Sequence, residues 1–187
     1  DGPFKLVDGN LEITARKVDG KWRAGLLASV DTKGQGFSQK YGYFEMRAKF
    51  PPGPGTWPAF WLLPAATITD KKVDGAEIDI VEQYGHFPNA YHTTVHRWLA
   101  NGTHTGEGRP AIVQGMTEGF HTYGAMVEPD FITFYYDRCE VWKYKTPEEA
   151  KQPLYLLVNL ALGGGWPIDK TPDPSVMVVD YVRAWAK

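Results

Sequence analysis

The sequence predicts an all-β protein, two antiparallel sheets packed face to face as a jelly-roll-like sandwich. Three observations carry that expectation. Aromatic residues make up 14% of the chain, and 20 Gly and 14 Pro supply frequent turns, a composition that suits strands and tight connections. Segments of strand character recur at short spacing along the chain. Apolar and polar residues alternate in Tyr43-Phe44-Glu45-Met46-Arg47-Ala48-Lys49-Phe50, the period of two that marks a half-buried strand.

Taken in order, the first expected strand covers 11–15 and follows the Asp8-Gly9-Asn10 turn. The alternating segment 43–50 comes next. Pro51-Pro52-Gly53-Pro54-Gly55 closes it, because that run forbids regular structure. Further strands are expected over 57–63, 77–82, 92–98, 123–128, 131–136, 154–160 and 176–185. Only 147–151 has helical character, and it is short. With no internal repeat, charge block or linker tract, the 187 residues read as one domain. A sandwich hosts binding modules as readily as enzymes, so fold alone does not decide function.

The bulk numbers exclude more than they select. A net charge of -2 gives no basic footprint for nucleic acid or anionic membrane. No stretch approaches the roughly 20 consecutive apolar residues of a membrane-spanning helix. The single Cys139 rules out an internal disulfide framework and a cysteine-rich zinc site.

The chemistry-bearing segment is Glu77-Ile78-Asp79-Ile80-Val81-Glu82. On a strand, Glu77 and Asp79 share one face and Ile78 and Ile80 the other. Glu82 is five residues beyond Glu77, so in a regular strand it would face the core, where an unpaired carboxylate is costly. One extra residue in a β-bulge would return it to the face of the other two. Like charges gathered in this way raise at least one pKa, giving a proton donor beside an ionised nucleophile. Cleavage of a glycosidic bond with retention needs such a pair, about 5–5.5 Å apart. A solvated acidic strand, or a calcium site built from the same oxygens, would also account for six residues taken alone.

The neighbouring sequence separates these readings. Together with Tyr41-Gly42-Tyr43-Phe44-Glu45-Met46-Arg47 and Trp57-Pro58-Ala59-Phe60-Trp61-Leu62-Leu63-Pro64, the segment resembles glycoside hydrolase family 16 in its bulged, laminarinase-like form. Phe120-His121-Thr122-Tyr123, the 129–137 stretch, Asn159-Leu160-Ala161-Leu162-Gly163-Gly164-Gly165-Trp166-Pro167 and Asp180-Tyr181-Val182-Arg183 agree in order. The resemblance runs from about Gly9 to the end, with the family's usual opening strand expected to be absent. Residues 25–64 also resemble bacterial enzymes that depolymerise succinoglycan-type exopolysaccharides. Val127 departs from the pattern, standing where the family commonly has Trp.

The resemblance implies a concanavalin-like sandwich with a concave substrate cleft. It also implies a retaining endo-β-glycanase acting on β-1,3 or mixed β-1,3/1,4 glucan by double displacement. Glu77 would be the nucleophile, Glu82 the acid/base, and Asp79 would tune their protonation. A succinoglycan-type depolymerase and a non-catalytic lectin-like domain are the alternatives. The expected partner is a polysaccharide, with no nucleic acid and no membrane, and the expected state is a monomer, secreted or periplasmic. No cofactor is implied for catalysis. A structural calcium on the convex face would take the Asp180 carboxylate and the Gly9 carbonyl.

Several aromatic residues are candidates for sugar contact. Trp57, Ala59 and Trp61 share a strand face, and the match places Trp61 near the sugar under attack. Trp57 is open to a core role as well. Trp166 follows three glycines and would wall the cleft, while Trp98 is open between sugar contact and packing. His96 matches a position on the leaving-group side, where it would bond Glu82 or substrate. His92 and His96 lie four apart, but the β-branched run between them suits a strand and a third zinc ligand is wanting. Asn101-Gly102-Thr103 is a glycosylation sequon in a eukaryotic host only.

Overall fold

The computed structural model describes residues 2–186. Fourteen strands form two sheets: β1 Phe4–Val7, β2 Asn10–Val18, β3 Lys21–Arg23, β4 Gly25–Ala28, β5 Gly42–Lys49, β6 Thr56–Pro64, β7 Gly75–Glu82, β8 Ala90–Trp98, β9 His104–Ile112, β10 His121–Val127, β11 Phe131–Tyr136, β12 Cys139–Lys145, β13 Leu154–Leu162 and β14 Ser175–Trp185. One sheet runs β1-β2-β14-β5-β10-β11-β12, with β3 on β2; the other runs β4-β13-β6-β7-β8-β9. The sandwich expected from the sequence is present, and each segment expected to be a strand is one.

The core lies between the sheets. Phe60 and Leu62 of β6, Ile78 and Ile80 of β7, and Tyr91 and Val95 of β8 meet Phe44 and Met46 of β5, Tyr123 and Ala125 of β10, and Phe134 of β11. Val127 is fully buried in the same core, so its departure from the family pattern falls at a packing position. The alternation in β5 has one twist: Glu45 is fully buried. It accepts hydrogen bonds from the hydroxyls of Tyr43 (2.9 Å) and Tyr181 (2.8 Å) and from Arg138 (3.3 Å). Burial alone would raise its pKa, but these donors outweigh burial and lower it.

Of the remaining strands, β12 alternates only in Trp142-Lys143-Tyr144-Lys145, and β9 lacks the periodicity that announces a strand. β9 is exposed at almost every position and carries Gly106, Gly108 and Pro110. It is an edge strand, where such residues are tolerated. β4 and β12 are largely exposed. The β11–β12 hairpin turns on Asp137-Arg138, both with positive φ (46° and 64°), as a two-residue turn matched to strand twist demands. The expected helix at 147–151 is a single 3-10 turn, Glu148–Ala150, and one short helix, α1 Ala66–Thr69, follows β6.

β7 is central to the second sheet, and its register locates the expected bulge. Phe60 pairs with Val81 and Trp61 with Asp79, so Ile80 is the extra residue on β7. On the other side Asp79 faces Thr94 while Glu82 faces His92. Ile80 is 1% and Val81 0% exposed. Two successive side chains therefore enter the core, and Glu82 returns outward. Ile80→Ala is expected to lower the unfolding free energy by roughly 2–5 kcal/mol, measured by urea denaturation.

Candidate active site

On the outer face of the second sheet, β6 contributes Trp57, Ala59 and Trp61, β7 contributes Glu77, Asp79 and Glu82, and β13 contributes Asn159. Together with Leu26 of β4 they line one open cavity of about 380 Å³. All three carboxylates predicted to share a face therefore open into the same space. A depression of about 420 Å³ elsewhere is lined by Leu11, Leu27, Phe37, Val158, Val179 and Val182, among others, with no carboxylate or histidine. Its one hydroxyl, that of Ser29, is engaged by the Phe37 carbonyl and the Leu156 amide.

The three carboxylates differ in surroundings. Asp79 is 3% exposed, whereas Glu77 and Glu82 are half-buried. Burial first, then the charges of Glu82 and Glu77 and a hydrogen bond with Glu77, raise the Asp79 pKa well above the usual carboxylate range. Asp79 is thereby favoured as a neutral acid that donates to Glu77. Burial, and to a lesser degree the Glu77 charge, also raise Glu82. Hydrogen bonds donated by Trp57 Nε1 (3.0 Å) and the Tyr84 hydroxyl (3.4 Å) to Glu82 Oε1 work in the opposite direction. Such a cluster titrates as one unit. Glu77 Oε2 accepts a hydrogen bond from Trp98 Nε1 at 2.9 Å.

The expected aromatic residues divide by position. Trp57 belongs to the cavity rather than the core: it holds Glu82 and lies 5.9 Å from the Tyr84 ring, stacked at 25°. Gly164 (φ +61°) closes against this pair, since a Cβ there would stand 2.6 Å from the Tyr84 ring and 2.9 Å from Trp57; only glycine permits that approach. Trp61 is fixed by its Nε1 donating to Asn159 Oδ1 at 2.8 Å. Trp98 is 46% exposed and Trp166 42%. Trp166 stands outside the cavity lining, packed edge-on against Phe87 at 4.9 Å and beside His86 at 5.4 Å.

His96 does not pair with Glu82: its cross-strand partner is Glu77, while Glu82 faces His92. His96 Nε2 stands 3.4 Å from Asp79 Oδ2, an ionic-range contact that is not aligned as a hydrogen bond, so this oxygen lacks a hydrogen-bond partner among the described residues. Burial lowers the His96 pKa, Glu77 counteracts and His104 adds to the lowering. Donor atoms of Glu77, Asp79 and His96 lie within 4.8 Å of one another. His92 is not part of that group and packs edge-on against Tyr84 at 5.7 Å. No shared site joins the two histidines among the described residues.

Tyr84, Asn159 and His104 were not singled out from the sequence. Asn159 carried a signal, a buried amide inside the apolar run Leu154–Leu162. Of the two residues expected to hold calcium, Asp180 has a cationic partner. The Asp180 carboxylate is paired with the Arg47 guanidinium, which also lies 4.7 Å over the Phe120 ring.

The chain matches the model of glycosyl hydrolases family 16 over residues 4–183. It is 39% identical over 98% of its length to endo-1,3-1,4-beta-glycanase EglC of Rhizobium meliloti, of which it spans 40%. It is 35% identical to a beta-glucanase of Rhodothermus marinus, with 97% of this chain and 69% of that one covered. The fold is similar to the laminarinase catalytic domain of Thermotoga maritima, with a TM-score of 0.85 and 25% identity over 100% of this chain and 81% of that one. The endo-beta-1,3-glucanase of Pyrococcus furiosus gives a TM-score of 0.83 and 30% identity, covering 98% and 77%. With three acidic side chains on a bulged central strand and a match across nearly all of its length, the chain belongs to glycosyl hydrolases family 16.

Proposed function

We propose that this chain is a retaining endo-β-glycanase that hydrolyses β-1,3 or mixed β-1,3/1,4 glucan and works outside the cytoplasm. The observation that carries the reading is the convergence of Glu77, Asp79 and Glu82 on one cavity walled by Trp57 and Trp61. The name of the relative from Rhodothermus marinus, a beta-glucanase, favours a glucan, and that from Rhizobium meliloti, an endo-1,3-1,4-beta-glycanase, favours these linkages. No helix among the described residues is long and apolar enough to cross a membrane.

The chemistry follows from unequal environments. Glu82, raised by burial and by the Glu77 charge, holds the proton that the departing glycosidic oxygen takes. Glu77 attacks the anomeric carbon and forms a glycosyl-enzyme. Asp79, neutral through burial, holds Glu77 in position by donating a hydrogen bond. Once Glu77 is esterified its charge is gone, and one cause of the raised Glu82 pKa goes with it. Glu82, which has given its proton to the leaving group, then stays ionised and takes a proton from the water that releases the sugar.

Two outcomes test this directly. Glu77→Gln and Glu82→Gln are each expected to lower kcat on laminarin or barley β-glucan by about 10²–10⁴-fold without changing the unfolding midpoint. Proton NMR of early hydrolysis products is expected to show the β-anomer first; initial α-anomer would exclude double displacement. A parallel panel with succinoglycan identifies the preferred polymer.

Trp57 gives a pH test. Its indole stabilises the charged form of Glu82, so Trp57→Phe removes a lowering influence and raises the Glu82 pKa further. Acid catalysis needs the protonated form and is lost as pH rises through that pKa. The alkaline limb of the kcat profile is therefore expected to move to higher pH; a shift to lower pH would contradict the assignment of Glu82 as acid.

A further inference from the structure

His104 begins β9 and lies outside the cavity lining, yet it touches both side chains that hold the nucleophile and its neighbour. Its Nε2 is 3.0 Å from His96 Nδ1. Its ring lies 3.6 Å from the Trp98 ring, with planes 9° apart. His96 reaches Asp79 and Trp98 donates to Glu77. One exposed imidazole thus ties together two contacts that converge on adjacent carboxylates.

The geometry points to His104 as a positioning residue for catalysis: it fixes His96 against Asp79 and Trp98 against Glu77, so that Glu77 is held for attack. The inference rests on the reading of Glu77 as nucleophile. Three features of the local structure support it. The register places Trp98 opposite His104 and His96 opposite Gly106, so both β8 side chains rise beside the start of β9. Gly106 leaves the room His96 needs, because a Cβ there would stand 2.4 Å from His96 Nδ1. His96 is partly buried while His104 is exposed, so the outer ring can orient the inner one without being part of the core.

The contact also orients the His96 ring. With Nδ1 engaged by His104, Nε2 is the atom turned to Asp79. A bond to the far nitrogen of an imidazole holds the ring in one orientation. Stacking does the equivalent for Trp98, whose half-exposed indole would otherwise be free to swing away from Glu77.

The test compares unaltered protein with His104→Ala, His104→Phe and Gly106→Ala on laminarin and barley β-glucan. His104→Ala loses both contacts and is expected to lower kcat about 10- to 100-fold with KM changed less than about threefold. His104→Phe keeps a ring on Trp98 and loses the bond to His96, so its kcat is expected to fall between. Gly106→Ala displaces His96 with His104 untouched, and is expected to lower kcat in the same sense. Unchanged unfolding midpoints with this kcat-selective pattern support positioning. Equal kcat in all variants, a loss confined to KM, or a loss that follows the unfolding midpoint would overturn it. Inactive unaltered protein on every glucan would instead overturn the glycanase reading beneath it.

Discussion

Ile80 and Val81 are neighbours in sequence and both must be buried, a demand that a regular strand cannot meet. The chain meets it by placing one extra residue in β7 between partners Phe60 and Trp61 on β6. The core keeps both apolar side chains, and the strand leaves the bulge with its faces exchanged. Glu82 therefore opens into the groove with Glu77 and Asp79 instead of entering the core. The hydrophobic requirement and the arrangement of acids are thus one constraint, satisfied by one irregularity.

From that arrangement the electrostatics follow. Three carboxylates in one groove cannot all carry charge at low cost, and depth decides which are protonated. Asp79 sits deepest and is raised most plainly; Glu82 is raised with donors holding it back; Glu77 accepts from Trp98. Difference in environment, with residue types nearly the same, sets the three carboxylates apart, and the proposed division into acid and nucleophile rests on it. The aromatic side chains serve this separation as much as they wall the groove, since Trp57 and Trp98 each donate to a different glutamate.

Much of this was legible in the sequence because it rests on local period. The alternation of β5 and the face count along β7 reflect the two-residue repeat of a strand, and a carboxylate at the wrong parity signalled the bulge. What was not legible depends on strand order and edges. β9 has glycines and a proline with hardly a buried position, so no hydrophobic pattern marks it, and His104 could not be set beside His96 and Trp98 without that strand. His96 is expected to bond Glu82 or substrate; in the register of β8 it pairs with Glu77, and Glu82 pairs with His92 instead. Asn159 stood out as an amide in an apolar run, but its place beside Trp61, like that of Tyr84 beside Trp57, became visible only once β6 had β7 on one side and β13 on the other. At Asp180 the unforeseen feature was Arg47, from the neighbouring strand β5, whose guanidinium answers the carboxylate.

The central claim is that the bulge presents Glu77 as the group that bonds to sugar while Glu82 handles the proton. Trapping with a 2-deoxy-2-fluoro β-glucan oligosaccharide bearing a good leaving group, followed by peptide mass spectrometry, measures this most directly. One covalently held sugar is expected, on Glu77. A label on Glu82 or Asp79, with Glu77 unmodified, would contradict it.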